Sequence, residues 1–431
     1  MKEKLIYEKE KKNKDPKVKP GYKQTALGWI PEDWELKKIS DLIEPIISGV
    51  SVNSTDIQAN DKEMGILKVS AVSYDQFLPT ENKKVLQKEL SRLKVPVQEN
   101  TIIMSRANTP ELVGNSVYVE KSYPKLFHSD KLWQIKTKTQ QANLRWFSYA
   151  IKDDRVKQLI SDGATGSSRS MRNISQSSFC SLLLATPPLP EQTAIANLLS
   201  TWDTAINKLQ ALIAAKEKRK KWLMQQLLMG KKRLPGFEGE WVTKRMSEIG
   251  RIPEKNPISK ITDHKLITVK LHTKGLDFNE SDKPKISSTG RPYYERRTGE
   301  ILIGRQNIHN GGIGYVSANF NGHICSNAIT SFLIDKTKNS IFFFLKCLQY
   351  DKYYKSFEDF MGGTGQKELS ERAFLQLAIR VPPCKEEQIS IGEVLKMAEQ
   401  ELELLYKKLQ NLKSQKIGLM QVLLTGQIRL K

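Results

Sequence analysis

The sequence predicts an α+β protein in which two similar α/β domains alternate with two long helices about an approximate twofold axis. Two observations predict this fold. The stretches 191–230 and 387–426 carry the same apolar periodicity at a constant offset of 196 positions. The segments that open the two halves also repeat, because residues 28–42 align with residues 236–250 through Trp34 and Trp241. An internal repeat of this size indicates two related structural units in one chain.

The two long stretches have the heptad pattern of a coiled coil. Apolar residues recur at spacings of three and four, which predicts helices that pack on each other along a seam. The matched positions are Ile195, Leu199, Trp202, Ile206, Leu209, Ile213, Leu223 and Leu227, and then Ile391, Leu395, Ala398, Leu402, Leu405, Leu409, Leu419 and Leu423. Lys220 and Lys416 interrupt the two seams at the same place. Two ordinary core helices are the alternative, but they would not explain the duplication or the length.

Each half has the same order of predicted elements between its repeated ends. The matched strands are 65–70 with 266–271, 101–106 with 301–305, and 117–119 with 314–316, and the matched short helices are 144–157 and 341–354. A glycine-rich loop follows in each half, and then a strand and a proline pair that ends the domain before the long helix. We predict a flexible basic leader at 1–27, domains at 28–188 and 233–383, and long helices at 189–232 and 384–431.

Composition points to an anionic partner. The 431 residues include 69 Lys and Arg against 47 Asp and Glu, which gives a net charge of +22. Nucleic acid is the first candidate for so basic a protein, and a membrane surface is the alternative. No apolar run approaches the roughly 18 residues of a spanning helix. The N-terminus has no signal-peptide core, and the 4 cysteines lack CxxC spacing, so we expect a soluble cytoplasmic protein with reduced cysteines.

Three segments carry a resemblance to a protein family. They are GYKQTALGWIPEDW at 21–34, PPLPEQTAIANLL at 187–199 and LLMGKKRLPGF at 227–237, and the second half has weaker versions, PPCKEEQISIGEVL and LLTGQIRL. Over nearly its whole length the chain resembles the specificity subunit of type I restriction–modification enzymes. It departs from the pattern at Cys384 and Lys385, where the first half has Leu189 and Pro190, and at Gly392 inside the second helix.

The resemblance implies a division of labour. In that family two target-recognition domains each read half of a split sequence in double-stranded DNA, and two helices pack antiparallel between them as a spacer. Two methyltransferase (modification) subunits and restriction (translocase–nuclease) subunits assemble on this scaffold. A helix of 40 residues is about 60 Å long, which would separate the domains by between one and two turns of DNA at about 34–36 Å each. Because the domain interiors have diverged, we expect two unlike half-sites and an unread gap.

Side chains after the second predicted strand of each half are candidates for reading DNA. Arg reads guanine with two hydrogen bonds, and Asn or Gln reads adenine in the same way. The first cluster is Ser105, Arg106, Asn108 and Thr109, and the second is Arg305, Gln306 and Asn307. The alternative is that Arg106 and Arg305 form ion pairs inside their own domains.

The glycine-rich loops supply a second set of candidate DNA contacts. These are Ser167, Ser168, Arg169 and Arg172 in the first half, and Gln366 and Lys367 in the second. Glycine lets a backbone approach phosphate closely, and the flanking cations add favourable charge. Neither loop matches the Walker A pattern G-x-x-x-x-G-K-[ST]. An ordinary turn before a strand is the alternative.

The sequence carries no catalytic signature. Its five histidines are scattered without an HExxH motif, and the glycine-rich and NPPY-type motifs of an adenine methyltransferase are absent. We therefore expect a non-catalytic chain without a cofactor or metal, whose partners supply methylation. Two other hypotheses are a coiled-coil scaffold that binds acidic proteins without reading sequence, and a fused nuclease or methyltransferase. The scaffold would show salt-sensitive binding without sequence preference, and the enzyme would be active alone.

Overall fold

The computed structural model describes residues 20–73, 76–168, 171–280, 291–362 and 367–430. Its contacts divide the chain into two compact units. Unit 1 comprises the residues up to Lys208 and those from Leu409, and unit 2 comprises Leu209–Lys408. Each unit therefore contains an α/β domain and part of both long helices, whereas the sequence-based domains follow one another along the chain.

The helices agree with the predicted periodicity. The long helices are Leu189–Leu227 and Lys385–Leu424. The short α-helices are Ile39–Leu42, Leu144–Ala150, Asp154–Asp162, Gln176–Ser181, Met246–Ile249, Ile341–Gln349, Asp351–Ser356 and Glu371–Gln376. The 3-10 helices are Val69–Val72, Gln87–Arg92, Ile308–Asn310, Ala318–Phe320 and Phe357–Phe360. Each predicted helix at 144–157 and 341–354 is divided in two, because Asp153 caps a new helix in unit 1 and Tyr350 has an extended backbone in unit 2.

The strands are short, as expected for domains rich in loops. In unit 1 they are Tyr22–Thr25, Gly28–Pro31, Glu35–Lys38, Ile47–Ser48, Gly65–Leu67, Asn82–Lys84, Pro96–Val97, Thr101–Ser105, Ala107–Asn108, Ser116–Val119, Tyr123–Phe127, Leu132–Ile135, Thr165–Ser168, Met171–Asn173 and Leu183–Thr186. In unit 2 they are Val242–Arg245, Gly250–Arg251, Ile267–Val269, Leu276–Phe278, Tyr293–Glu295, Ile301–Gly304, Ile313–Tyr315, Ile324–Ser326, Ile329–Ile334 and Ala378–Val381. The predicted strand at 65–70 ends at Leu67, since Val69 begins a 3-10 turn.

An antiparallel four-stranded sheet has the same order in both units. The order is Ser116–Val119, Thr101–Ser105, Leu132–Ile135 and Ile47–Ser48 in unit 1, and Ile313–Tyr315, Ile301–Gly304, Ile329–Ile334 and Gly250–Arg251 in unit 2. Three residues of each inner strand, 102–104 and 301–303, are buried and apolar. Two of the three strand pairs that were matched in the sequence therefore hold matching places in the sheet. The third pair does not, since Gly65–Leu67 and Ile267–Val269 lie in other sheets.

A two-stranded sheet joins the two repeated ends of each unit. Glu35–Lys38 pairs with Leu183–Thr186 in unit 1, and Val242–Arg245 pairs with Ala378–Val381 in unit 2. In both units the segment after the repeated tryptophan thus pairs with the strand before the proline pair. This pairing brings the start of each domain to the point where its long helix begins.

The core of each unit contains the start of one long helix and the end of the other. In unit 1, Ile195 and Leu199 pack with Leu423 around Trp34 and Phe147. In unit 2 the matching residues are Ile391, Leu395 and Leu227, which pack around Trp241 and Phe343. Burying a side chain of this size contributes roughly 1.5–3 kcal/mol. The helix ends are therefore held by the domains as well as by each other.

In unit 1 a buried glutamate at the start of one long helix binds an arginine that follows the end of the other. Glu191 accepts hydrogen bonds from Nε and Nη2 of Arg429 at 2.7 and 2.8 Å and from Nε1 of Trp34 at 3.0 Å. Arg429 also donates to both carboxylate oxygens of Asp33, at 2.8 and 2.6 Å. Hydrogen bonds to Glu191 and Asp33 raise the pKa of Arg429 above its ordinary value.

Unit 2 repeats this arginine–glutamate pair. Arg233 donates to Glu387 through Nε at 2.5 Å and Nη2 at 2.6 Å, and Glu387 is completely buried. Each arginine follows a glycine with a left-handed backbone, Gly230 at φ 64° or Gly426 at φ 69°. A Cβ at Gly426 would lie 2.5 Å from a side-chain atom of Pro31, so only glycine fits this turn without displacement.

The glutamine after each of these glutamates joins the long helix to its domain. Gln192 Oε1 accepts a hydrogen bond from the backbone nitrogen of Asn143 at 2.8 Å, and Gln388 Oε1 accepts one from Ser340 at 2.9 Å. Asn143 and Ser340 are the N-caps of the helices that begin at Leu144 and Ile341. The glutamine of each repeated Glu-Gln pair therefore fastens a long helix to its domain. The second pair does so although Cys384 and Lys385 replace the Leu-Pro of the first half.

The lysines that interrupt the predicted seams are bound to acids of the opposite long helix. In unit 1, Lys416 lies 2.5 Å from Asp203, which also accepts a hydrogen bond from the hydroxyl of Tyr149 at 2.5 Å. In unit 2, Glu399 lies 2.8 Å from Lys220 and 2.7 Å from Lys346. These pairs show that the two helices run antiparallel within each unit.

The unit 2 pair is partly shielded from water. Burial opposes ionisation of Glu399, but Lys346 and Lys220 hold its pKa below the ordinary value. A polar group in a coiled-coil seam selects one register, because any other register leaves it without a partner. The charged seam positions therefore fix which residues of the two helices face each other.

We expect Arg429→Ala to destabilise unit 1. The substitution would leave Glu191 buried without its cation, and losing one partner of a buried pair costs several kcal/mol. Since Arg429 is partly exposed, we expect a loss of about 2 kcal/mol in the free energy of opening. Hydrogen exchange of the backbone amides in residues 191–208 would measure it.

Gln427→Ala is the matched control for this experiment, because Gln427 lies in the same segment and is exposed. Equal exchange rates in the Arg429→Ala and Gln427→Ala variants would show that the pair does not hold the helix start.

Candidate nucleic-acid interface

In unit 1 a three-stranded sheet brings the two groups of predicted site residues together. Met171–Asn173 pairs with Thr165–Ser168 on one side and with Ala107–Asn108 on the other. Arg172 lies opposite Asn108 in this pairing. The segment after the inner strand and the glycine-rich loop are 60 residues apart in sequence, yet they form one surface.

Two of the predicted residues have structural roles in this segment. Ser105 is completely buried, and its hydroxyl donates to the carbonyl of Ala107 at 3.2 Å. Its side chain therefore supports the turn, and its burial keeps it from an external ligand. Thr109 donates its backbone N–H to Oδ1 of Asn108 at 2.9 Å, and its carbonyl accepts from Leu112 and Val113.

Arg106 and Asn108 present donors without acceptors. Nε of Arg106 and Nδ2 of Asn108 are buried, and neither has a hydrogen-bond partner among the residues that the structure describes. A buried donor without an acceptor is costly, so an ordered water or a ligand that supplies an acceptor would stabilise these groups. Both atoms are donors, and they therefore suit a ligand that presents acceptors.

Arg172 is held close to this pair. Its Nη1 donates to the carbonyl of Ser161 at 3.2 Å, in the last turn of the helix Asp154–Asp162. A cation at a helix C-terminus interacts favourably with the helix dipole. Arg169 lies outside the described residues, and for Ser167 and Ser168 only the backbone strand is described.

Unit 2 uses the same backbone arrangement with different side chains. The carbonyl of Arg305 accepts from the backbone nitrogen of Leu369 at 3.1 Å, just as the carbonyl of Arg106 accepts from Ile174 at 2.9 Å. Nε of Arg305, however, lies 3.0 Å from Oε1 of Glu368. This contact is an ion pair whose geometry falls outside that of a hydrogen bond. The alternative of an internal ion pair thus holds for Arg305, whereas none is present for Arg106 among the described residues.

Two of the remaining predicted residues of unit 2, Gln306 and Asn307, line a cleft. Asn307 is exposed and Gln306 is half-buried. The residues that line the cleft are Leu266, Ile267, Thr268, Val269, Gly304, Gln306, Asn307, Ser326, Ala328 and Ile329. Lys367 is exposed and lies 3.1 Å from Glu358, and Gln366 lies outside the described residues.

Sequence reasoning missed three features of these surfaces. Glu368 and the matching Asn173 escaped notice, as did the polar lining of the cleft by Thr268 and Ser326. A signal for the first pair was present, since each residue stands six places before the buried phenylalanine of the following short helix, Phe179 or Phe374. That spacing becomes informative only once the hairpin pairing is known.

The described residues contain no cluster of His, Cys, Asp or Glu that could hold a metal ion. His128 is completely buried, and burial lowers its pKa to about 4. Its Nδ1 lies 3.0 Å from the carbonyl of Val95. His128 is therefore neutral near pH 7 and has a structural position. Of the described helices, none is long and apolar enough to cross a membrane.

Comparisons with known proteins agree with this duplicated architecture. The family model described as the type I restriction modification DNA specificity domain matches twice, at residues 31–217 and 238–414. The inferred type I restriction enzyme MjaX specificity subunit of Methanocaldococcus jannaschii is 24% identical over 436 residues, which cover 95% of this chain and 97% of the relative.

Solved structures show the same fold. The crystal structure of the type I restriction-modification S subunit from M. genitalium matches with a TM-score of 0.57 at 18% identity, covering 94% of this chain and 99% of that one. A chain from a structural study of complex assembly and conformational transition in the type I R-M system matches with a TM-score of 0.55 at 15% identity, covering 93% and 99%. At these identities the likeness concerns the fold alone.

We expect Arg106→Ala and Arg305→Ala to alter DNA selection differently. Arg106 has an unpartnered donor, so its loss should change the bases that unit 1 selects, by roughly 1–3 kcal/mol at one position. Arg305 is neutralised by Glu368, so its loss should have a smaller effect, confined to unit 2. Selection from random duplexes by the full chain with its assembly partners would measure both. Equal weakening on all sequences would instead identify phosphate contacts.

Proposed function

Because the chain belongs to the type I restriction modification DNA specificity domain family, we propose that it is the sequence-reading subunit of a type I restriction–modification complex. It binds an asymmetric, bipartite target in double-stranded DNA. Each α/β domain reads one half-site, and the pair of long helices sets the unread gap. The chain itself is non-catalytic, and its partners supply methylation and cleavage.

The observation that carries the proposal is a repeated surface with unlike side chains. Both units place an arginine after the inner strand and tie its carbonyl to the segment that follows the glycine-rich loop, at Ile174 or Leu369. The groups around that arginine differ. One backbone arrangement with two sets of polar groups suits the reading of two different short sequences. The net charge of +22 adds favourable attraction to the phosphate backbone.

The long helices suit a spacer. Leu189–Leu227 contributes Ile195 to the core of unit 1 and Leu227 to the core of unit 2, and Lys385–Leu424 does the same in the opposite sense. A helix of this length spans about 60 Å at 1.5 Å per residue. A spacer fastened in both domains fixes the distance between the bases that they read.

The assembly follows from family membership. We infer that two methyltransferase subunits and the restriction (translocase) subunits assemble on this chain, in the cytoplasm where the DNA lies and without a membrane partner. The fold is shared with a chain from a type I complex, which supports assembly. On this inference the methyl donor and the metal of the enzymatic steps belong to the partner subunits.

We expect methylome sequencing to test the reading role. Host DNA would be compared with and without this chain, in the presence of the cognate methyltransferase subunit. A split, asymmetric motif that appears only with this chain is the expected result. An active methyltransferase whose motif does not depend on this chain would contradict the proposal. Salt-sensitive DNA binding without sequence preference would favour a non-specific coiled-coil scaffold.

We expect deletion of one heptad from each long helix to shorten the gap. Removing residues 206–212 and 407–413 shortens each helix by about 10 Å, or about 3 base pairs, and seven residues preserve the seam. The methylated motif should keep both half-sites and lose about 3 base pairs between them. The matched control is a substitution of exposed Lys208 by Ala at full length. A gap that stays constant after the deletion would refute the spacer role.

A further inference from the structure

We propose that Asn173 and Glu368, which occupy matching positions, determine the kind of base that each unit reads. Asn173 leaves Arg106 available to read guanine in the half-site of unit 1. Glu368 engages Arg305, so that the amides Gln306 and Asn307 read adenine in the half-site of unit 2. This inference rests on the proposed function and deepens it, since it assigns a base chemistry to each half-site.

Backbone hydrogen bonds establish that the two positions match. Ile174 donates to the carbonyl of Arg106 at 2.9 Å, and Leu369 donates to that of Arg305 at 3.1 Å. The next residue in each unit is a serine N-cap, at Ser175 or Ser370. The residue before Ile174 is Asn173, and the residue before Leu369 is Glu368. Glu368 lies beside Arg305, and the matching position in unit 1 holds Asn173, which is uncharged.

The unpaired groups of unit 1 match the edge of guanine. Nε of Arg106 and Nδ2 of Asn108 are donors without acceptors among the described residues. In the major groove guanine offers two acceptors, N7 and O6, whereas adenine offers one acceptor and one donor. Two donors without acceptors in one short segment therefore favour guanine. Asn173 is uncharged and cannot neutralise Arg106, so the charge of Arg106 remains available to a ligand.

The carboxylates of unit 2 make Arg305 less available for a contact with a base. Its Nε lies 3.0 Å from Glu368, and the side chain of Arg305 is 21% exposed. Glu371 stands nearby and is itself bound by Lys255 at 2.7 Å and by the hydroxyl of Thr330 at 2.9 Å. Pairing with Glu368 engages Nε of Arg305 and offsets its charge, which leaves fewer donors for a guanine edge. Glu368 therefore biases unit 2 against a guanine contact.

The cleft of unit 2 offers the complementary chemistry. Its lining contains no charged side chain, and its polar side chains are Gln306, Asn307, Thr268 and Ser326. A carboxamide carries one donor and one acceptor, which match N7 and N6 of adenine. A neutral lining also disfavours phosphate as the occupant. The amides of Gln306 and Asn307 are therefore the readers that remain once Arg305 is engaged.

The test exchanges the two matched residues. Glu368→Asn gives unit 2 the residue of unit 1, and Asn173→Glu gives unit 1 a carboxylate. Each full-length variant would be expressed with the cognate methyltransferase subunits, and the methylated motif would be read separately in each half-site. We expect Glu368→Asn to admit guanine at one position of the second half-site, and Asn173→Glu to weaken a guanine preference in the first, each on the order of 10-fold.

Internal and external controls separate reading from folding. The half-site of the untouched unit should stay unchanged in each variant, and Glu240→Gln removes an exposed charge of unit 2 at another place. An unchanged second half-site in Glu368→Asn would overturn the inference, as would equal loss on both half-sites. A wild-type preference for cytosine at that position, lost in Glu368→Asn, would also overturn it, because Glu368 would then read the base itself. These outcomes leave a bipartite motif in the wild type, whereas failure of the proposed function would remove it.

Discussion

The fold depends on an arginine that follows one long helix and binds the buried glutamate at the start of the other. Arg429 holds Glu191 in unit 1, and Arg233 holds Glu387 in unit 2. A buried carboxylate without a cation is strongly unfavourable, so this pair ties each helix start to the chain that leaves the opposite helix. The left-handed glycines Gly230 and Gly426 and the repeated tryptophans lie at the same junctions. The last residues of the chain thereby become part of the unit that contains the first domain.

Charged residues in the helix seam also fix the register of the two long helices. Lys416 pairs with Asp203, and Lys220 pairs with Glu399. Apolar seam residues tolerate sliding by a heptad, whereas a lysine in the seam tolerates only the register that supplies its acid. Since Tyr149 and Lys346 bind the same acids, the domains are fastened to the helices at the same level. A spacer of defined length needs this restriction.

The units share one backbone arrangement at the inner strand, and the groups around it differ. Their other sheets differ as well, since Gly65–Leu67 belongs to a four-stranded sheet in unit 1 and Ile267–Val269 to a two-stranded sheet in unit 2. The inner strand, the hydrogen bond to the arginine carbonyl and the serine N-cap are common to both. The residue at the matching position differs, being Asn173 in unit 1 and Glu368 in unit 2. The amides that follow the arginine also differ. A protein that keeps anchoring and reading in separate residues can change what it reads without losing its fold. On the proposed function, the arginine–glutamate pairs anchor the long helices and the Glu368 position takes part in reading the base.

The sequence by itself determined the duplication, the two long helices, the strands of the central sheet and the basic charge, because each is a periodic or compositional property of neighbouring residues. It also placed Arg106 and Arg305 at the end of the inner strands. Only the tertiary structure decided that Arg305 pairs with Glu368, which lies 63 residues away in sequence. The same holds for Lys220 and Lys416. In the sequence they only interrupt the periodicity, whereas in the structure they form ion pairs with acids on the opposite helix. The burial of Ser105 likewise depends on packing that no local pattern records.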